Sequence, residues 1–423
     1  MYDIVIVGGG AAGLFCVAMI NELLPKSKKV LLAEKTSTLG NKLILSGSGQ
    51  CNFTHAGNMK DFSLHYGDNY SFLKPALYNL SNTTLIKFFE KLDIKSLIRD
   101  DLKVFPKHKS SEIIKNTLIH QADRYGAEIK TNYTLNKIEI HETFIRLNFL
   151  NSVSRVMIKT KYLILCTGGK SYKVTGSEGD IIPLLSDLNI KIKPFKPALS
   201  VPYVKYVDEV NTKPQNISKL AGITLNNASM SIYRGGKQIY KRNGALLFTH
   251  TGLSGPLILD NSKYYEPGDT LFIYLTKFTE LEDFDKYFLE LIELNPLKRV
   301  SNLLLEIDIP KNLINFVLKD INEGMLNSKS SSLTKLDRKH LIKKLFYMEY
   351  KIIRLGDIDD AMCCSGGVDL SEINKKNMSL KKYPNIFVAG ECIDVDGDTG
   401  GYNIHAAFAT GHLIIKHLTE EIK

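Results

Sequence analysis

The sequence predicts an α/β fold in discontinuous form. One doubly wound α/β domain is built from both ends of the chain and split by a β-barrel-like insert with a helical part. Three observations carry this. The first residues read as strand, glycine turn and helix. The composition changes near Lys191. The closing residues read again as strand, glycine-rich turn and helix.

The opening run IVIV, Ile4 to Val7, is the β-branched type found in buried parallel strands. GGGAAG follows, then the helical pattern LFCVAMINELL. Gly8, Gly10 and Gly13 complete G-x-G-x-x-G: a tight turn, a close backbone approach to a pyrophosphate, and close helix–strand packing. The helix start then offers unpaired N–H groups and a positive dipole end to phosphate. A second strand, KVLLAEK, carries Glu34, 21 residues after Gly13, where an acid accepts hydrogen bonds from a ribose. Glutamate there indicates an unphosphorylated ribose, as in FAD or NAD. The domain is therefore expected to be Rossmann-like.

The next loop, LGNKLILSGSGQCNFTH (39–55), is rich in Gly, Ser and Asn and suits backbone approach to a large ligand. TNYTLNKI (131–138) and YLILC (162–166) read as strands, the second running into TGG. Near the end, YPNIFVAGE reads as a buried strand and GGYNIHAAFATGHLIIKHL as a helix beginning near Gly401. Asp394, Asp396 and Asp398 alternate as in a calcium loop, but that register needs glycine and glutamate where Thr399 and His405 stand. They are read as turn-shaping and helix-capping residues, one of them within reach of a flavin ribityl hydroxyl. The helix start is an anion site suited to the negative charge of a reduced flavin.

In mid-chain, ITLNNASMSIYR, KQIYKRNGALLFTH and DTLFIYL alternate between turn signals such as RGG (234–236), as in a small antiparallel sheet or barrel. Phe284, Phe288, Leu291 and Ile292 form a helical stripe. PKNLINFVLKDI (310–321) and LDRKHLIKKLFYMEY read as further helices. The expected division is 1–190 and 353–423 for the dinucleotide domain, 191–278 for the barrel-like insert and 279–352 for its helical part.

Net charge is +10, in scattered clusters with no RNA-binding signature, so solvated surface is expected before a nucleic-acid partner. The six cysteines form no C-x-x-C pair, and no metal-ligand cluster stands out. The first twenty residues lack the basic start of a signal peptide, and no stretch approaches a membrane span. A cytoplasmic protein with no membrane partner is expected; oligomeric state is open.

Four blocks, GGGAAG (8–13), SGSGQCNFTH (46–55), LLFTHTGLSGP (246–256) and AGECIDVDGDTGGYN (389–403), resemble the BaiN/YhiN-type family of bacterial FAD-dependent oxidoreductases, which includes aminoacetone-oxidase-like members. The resemblance implies a glutathione-reductase-type FAD domain split by a β-barrel and a helical module. With the motifs above, it places FAD against Gly8, Gly10, Ala11, Ala12, Gly13, Glu34, Lys35, Asn41, Lys42, Ser46, Gly47, Gly49, Gln50, Cys51 and Asn52. It continues through Leu135, Thr167, Gly168, Gly169, Gly390, Glu391, Asp396, Gly397, Gly400, Gly401, Tyr402 and Asn403. The chain departs from the family at Gln50, usually arginine, at His55, often asparagine, and in SYKVTGSEGDII (171–182). A fixed cation at position 50 is therefore expected to be absent.

Candidates for chemistry are His250, Cys51 and Tyr402, with Asn52, Ser254, Lys170 and Tyr172 beside them. His250 is either a general base or substrate anchor, or a residue fixing its turn. Cys51 is either thiolate-like or, more commonly for such a residue, packed. Tyr402 and Asn52 read first as flavin neighbours. The expected activity is hydride transfer through flavin N5, from NADH, NADPH or an organic donor to oxygen or an unsaturated small molecule. No second G-x-G-x-x-G is present, so any nicotinamide binds transiently. Two alternatives remain open: an amine oxidase producing hydrogen peroxide, and an FAD-dependent RNA-modifying or RNA-binding protein.

Overall fold

The buried run YDIVIV forms strand β1, Tyr2–Val7, and the helical pattern beyond the glycines forms α1, Ala11–Leu23. The molecule is described from a computed structural model that covers residues 1–207, 217–278, 280–318 and 323–422. The chain divides into two compact units, Met1–Ala198 with Asp357–Lys423, and Leu199–Gly356.

The first unit is organised by a seven-stranded sheet. Its strands are β1, β2 (Val30–Ala33), β6 (Glu128–Lys130), β7 (Thr134–Ile140), β8 (Ile145–Leu150), β9 (Arg155–Leu165) and β18 (Ile386–Val388). The order is β6-β2-β1-β9-β8-β7, with β18 also pairing β9. The long strand β9 serves two partners. Residues 155–160 pair antiparallel with β8, while 163–165 pair parallel with β18. β1 lies between β2 and β9, parallel to both. The carboxyl ends of β1, β2, β9 and β18 therefore share one edge, where open α/β sheets bind ligands. Gly8, Glu34, Thr167 and Gly390 follow these strands closely.

Helix α2, Ser111–Tyr125, and the closing helix α5, Tyr402–Glu421, both pack on α1. Two small sheets complete the unit. One has the order β3 (Thr54–His55), β5 (Lys103–Pro106), β4 (Ser96–Ile98); the other pairs β10 (Ile192–Ala198) with β17 (Cys363–Val368).

The second unit is a six-stranded antiparallel, barrel-like sheet in the order β11-β16-β15-β12-β13-β14. These are Tyr203–Val207, Tyr347–Arg354, Thr270–Tyr274, Thr224–Arg234, Lys237–Phe248 and Leu253–Ser254. Gly235 and Gly236, both with positive φ, make the two-residue turn between β12 and β13 that RGG predicts. Helices α3, Leu281–Leu294, and α4, Lys335–Phe346, join its core through Phe284, Phe288, Leu341 and Leu345.

Some expectations change. The helix foreseen through Tyr350 stops at Phe346, and Tyr347–Arg354 is β16. Its residues alternate in burial and pair with β11 and β15, so cross-strand partners override the local helical pattern. The strand expected at 131–138 runs over Thr134–Ile140. The helix expected at 310–321 is Lys311–Leu318, and 319–321 lie outside the described residues. No helix among the described residues is long and apolar enough to cross a membrane.

A methyl group on Gly13 would lie 1.9 Å from the carbonyl oxygen of Gly8. Gly13→Ala should therefore cost about 2 kcal/mol, by overpacking, read as a lower urea midpoint at unchanged slope.

Candidate functional site

The β1–α1 turn shows what each glycine does. Gly8 has φ +105°, and a Cβ there would meet the carbonyl oxygen of Cys166 at 2.3 Å. Gly13 is needed for the contact just described. Gly10 has no atom within 4 Å of a hypothetical Cβ, so this backbone borders open space. No side chain caps α1 and no acid occupies its first turn. Its leading N–H groups and dipole end thus face that space unneutralised.

Glu34 is more engaged than the sequence implied. Its Oε2 accepts from Gly9 N at 2.6 Å, and its Oε1 accepts from Thr36 N and Oγ1, each at 2.8 Å. The carboxylate holds the glycine turn, and Oε2, with one donor, keeps a further acceptor position for a hydroxyl. Asn41 donates to Thr36 Oγ1. Thr167 Oγ1, at the end of β9, is buried without a hydrogen-bond partner.

A second helix start is that of α5, where the N-cap is Gly401. Gly400 and Gly401 have φ +118° and +93°, and a Cβ on Gly401 would lie 2.7–2.8 Å from the backbone of Thr54. The preceding turn is stapled by Asn403, which accepts from Gly397 N and donates to Gly397 O, both at 2.8 Å. Tyr66 Oη donates to Tyr402 O. Asp394 accepts from Gly366 N and pairs with Lys193, while Asp398 binds His65 Nδ1 at 3.0 Å. Asp396 is buried.

Tyr402 is buried, with His65 and His55 stacked on it at 4.2 and 5.2 Å between ring centroids. Neither histidine was foreseen as a Tyr402 neighbour, because stacking across 337 to 347 residues leaves no local pattern. Burial, then the neighbouring His65, lowers the pKa of His55, whose Nδ1 also accepts from Gly57 N. Behind the helix start, His405 lies between Thr54 Oγ1 and Leu80 O, each at 2.8 Å.

A third group joins the loop after β2 to the end of β18. Lys42 Nζ lies 2.7 and 2.9 Å from the Glu391 carboxylate oxygens and 2.5 Å from Ser171 Oγ. Glu391 Oε1 also accepts from Cys364 N at 3.0 Å. Burial opposes the Lys42 charge, but Glu391 outweighs it and holds the lysine pKa above its usual value. Lys35 pairs instead with Glu178 and Asp180, both from the segment that departs from the family pattern.

Other foreseen residues take structural roles. Cys51 is fully buried, and burial pushes its thiol up to about 12. Of the two readings of Cys51 this favours the packed one, since a neutral buried thiol is neither nucleophile nor base at neutral pH. Asn52 donates to Thr54 O and Val104 O. Ser46 Oγ donates to Leu43 O, and Gly47 and Gly49 carry the loop through positive φ. Gly168 has φ +72°, and Gly169 packs against Cys364 and Glu391. Leu135 is a core residue of β7. His250 is exposed in the second unit, on a turn held by Thr249 bonds to Gly252. Position 50 carries no cation, but Gln50 Oε1 accepts from Arg99 Nη2 at 2.7 Å, and that guanidinium lies over Phe105.

A family model described as the HI0933-like protein Rossmann domain matches residues 2–417. The chain belongs to the HI0933-like family. It is an FAD-dependent oxidoreductase of the BaiN type. It is 27% identical over 410 residues to a ribosomal RNA dihydrouridine synthase of Haemophilus influenzae, covering 96% of each chain. It is 26% identical over 416 residues to a ribosomal RNA dihydrouridine synthase of Escherichia coli, covering 97% of this chain and 96% of the other. A 3-dehydro-bile acid delta(4,6)-reductase of Clostridium scindens is 24% identical over 420 residues, with 98% of each chain covered.

The residues present fit the FAD of this family. Two helix starts with glycine at the N-cap supply N–H groups, Gly10 borders open space, and Thr167 leaves a buried hydroxyl unpaired among the described residues.

Burial lowers the His405 pKa to about 4. The folded protein holds this histidine neutral, whereas the unfolded chain protonates it near 6.5. Its contribution is complete above pH 6.5 and is lost as pH falls toward 4, by about 3 kcal/mol. Urea unfolding of wild type should show that loss, and His405→Gln should flatten it. All six cysteines are free and buried, so a thiol reagent should react slowly with native protein and quickly in denaturant.

Proposed function

We propose that this protein reduces a carbon–carbon double bond conjugated to a carbonyl, and that its substrate is a uridine in RNA. The observation that carries this is the chemistry common to the relatives' names. Dihydrouridine differs from uridine by two hydrogens across C5=C6, a bond conjugated to a ring carbonyl. A 3-dehydro-bile acid delta(4,6)-reductase acts on double bonds in conjugation with a ketone. Reduction of such a bond is a chemistry both relatives' names admit, and it favours a reductase over an amine oxidase. The two RNA-named relatives favour RNA over a steroid-like substrate, and this replaces the expectation that scattered charge alone gave.

In this reading the N–H groups of Ala11, Ala12 and Gly13 receive the FAD pyrophosphate and Glu34 accepts from its ribose. Gly400, Gly401 and the first N–H groups of α5 would hold the flavin and favour negative charge on it. Lys42 and Glu391 fix the loops on either side. FAD held here would, once reduced by a transiently bound NADH or NADPH, supply the hydride. Saturating the bond also takes a proton. His65 is partly exposed, and Asp398 orients its Nδ1, leaving Nε2 to exchange that proton.

Mass spectrometry of ribosomal RNA tests the reading. Cells expressing the chain in a background without this modification should gain a uridine heavier by two hydrogens. His65→Gln should lower the rate at least tenfold while the protein keeps its flavin absorbance. RNA that stays unmodified, while the purified protein reduces a small enone with NADPH, would leave the reductase and remove the RNA substrate.

A further inference from the structure

The second unit carries a sheet face that its core uses only at one end, where Tyr274 and Tyr347 pack on Phe346. Along β12, β15 and β16, Met230, Ile232, Leu271, Ile273, Met348 and Tyr350 point into the core. The alternate residues form the opposite face. There Tyr233 and Phe272 meet edge to face at 5.0 Å, as do Phe272 and Tyr347. Tyr274 adjoins Tyr347, and Lys241 lies over the Tyr274 ring at 5.4 Å. These four rings are half-buried, and Tyr233 and Phe272 lie outside the hydrophobic cluster of the unit.

Charge on this sheet is mostly basic, although Glu349 stands opposite Phe272 on this same face. Glu349 is the single acid in the six strands. Lys205, Lys237, Lys241 and Lys351 are exposed, and none pairs with a carboxylate among the described residues. Lys205 and Lys351 stand directly opposite each other on β11 and β16. Like charges in that register destabilise a sheet, and a bound phosphate would remove the cost.

We infer that this face binds single-stranded RNA, with bases on the Tyr233–Phe272–Tyr347–Tyr274 band and phosphates on Lys205, Lys351 and Lys241. Rings on a sheet offer a platform to any base, and flanking lysines follow the backbone. The inference rests on the RNA reading above and adds where the RNA is held.

The test uses full-length protein and a fluorescein-labelled twelve-residue oligouridylate, with fluorescence anisotropy at several salt concentrations. Lys205→Gln with Lys351→Gln should weaken binding at least tenfold and flatten the logarithmic salt slope by about two. Phe272→Ser should weaken binding about tenfold with little change in slope. The lysine variants are at exposed positions and guard against a folding artefact, which matching melting curves would exclude. Unchanged affinity in both variants overturns the inference. If wild type still forms dihydrouridine in that case, the functional reading survives alone. Binding lost in the variants, with no dihydrouridine formed by wild type, keeps the surface and removes the function.

Discussion

The first unit depends on the contact between the two ends of its chain. Helix α1 and helix α5 pack so closely that a Cβ on Gly411 would come within 2.8 Å of Cys16 Sγ. A Cβ on Gly390 would come within 2.9 Å of Ala12 Cβ. Phe15 and Phe408 stack at 4.5 Å alongside. Small residues let the helices approach, and dispersion then acts over the whole contact. This contact aligns two helix starts at one edge of the sheet, although nearly four hundred residues separate them.

Electrostatics and conformation reinforce that arrangement. Glycine is required where backbones nearly touch, at Gly8, Gly13 and Gly401, and elsewhere a polar side chain fixes the loop. Glu34 holds the first turn, Asn403 the last, and the Lys42–Glu391 pair ties the loop after β2 to the end of β18. The buried groups are kept neutral or paired, as burial demands. His405 and Cys51 are neutral, and Lys42 is charged against a carboxylate. The site is therefore built largely from backbone N–H groups, with few side chains free to vary. Catalytic identity is correspondingly hard to read from residue types alone.

What the sequence determined by itself is the local part of the fold. β1, the glycine turn and α1 follow from a buried β-branched run, three spaced glycines and a helical pattern, all within one short stretch. The β12–β13 hairpin follows in the same way from two glycines able to adopt positive φ. The four family blocks also marked the FAD-dependent class, because each carries its signal in consecutive residues.

What only the tertiary structure decided involves partners distant in the chain. It turned Tyr347–Tyr350 from helix into strand, since β11 and β15 supply its hydrogen bonds. It brought His55 and His65 onto Tyr402, and Arg99 beside Gln50. It sealed Cys51 and engaged Asp398 with His65. Periodicity and spacing report interactions a few residues apart. Stacking, desolvation and charge pairing depend on distance in space, which the order of residues does not display.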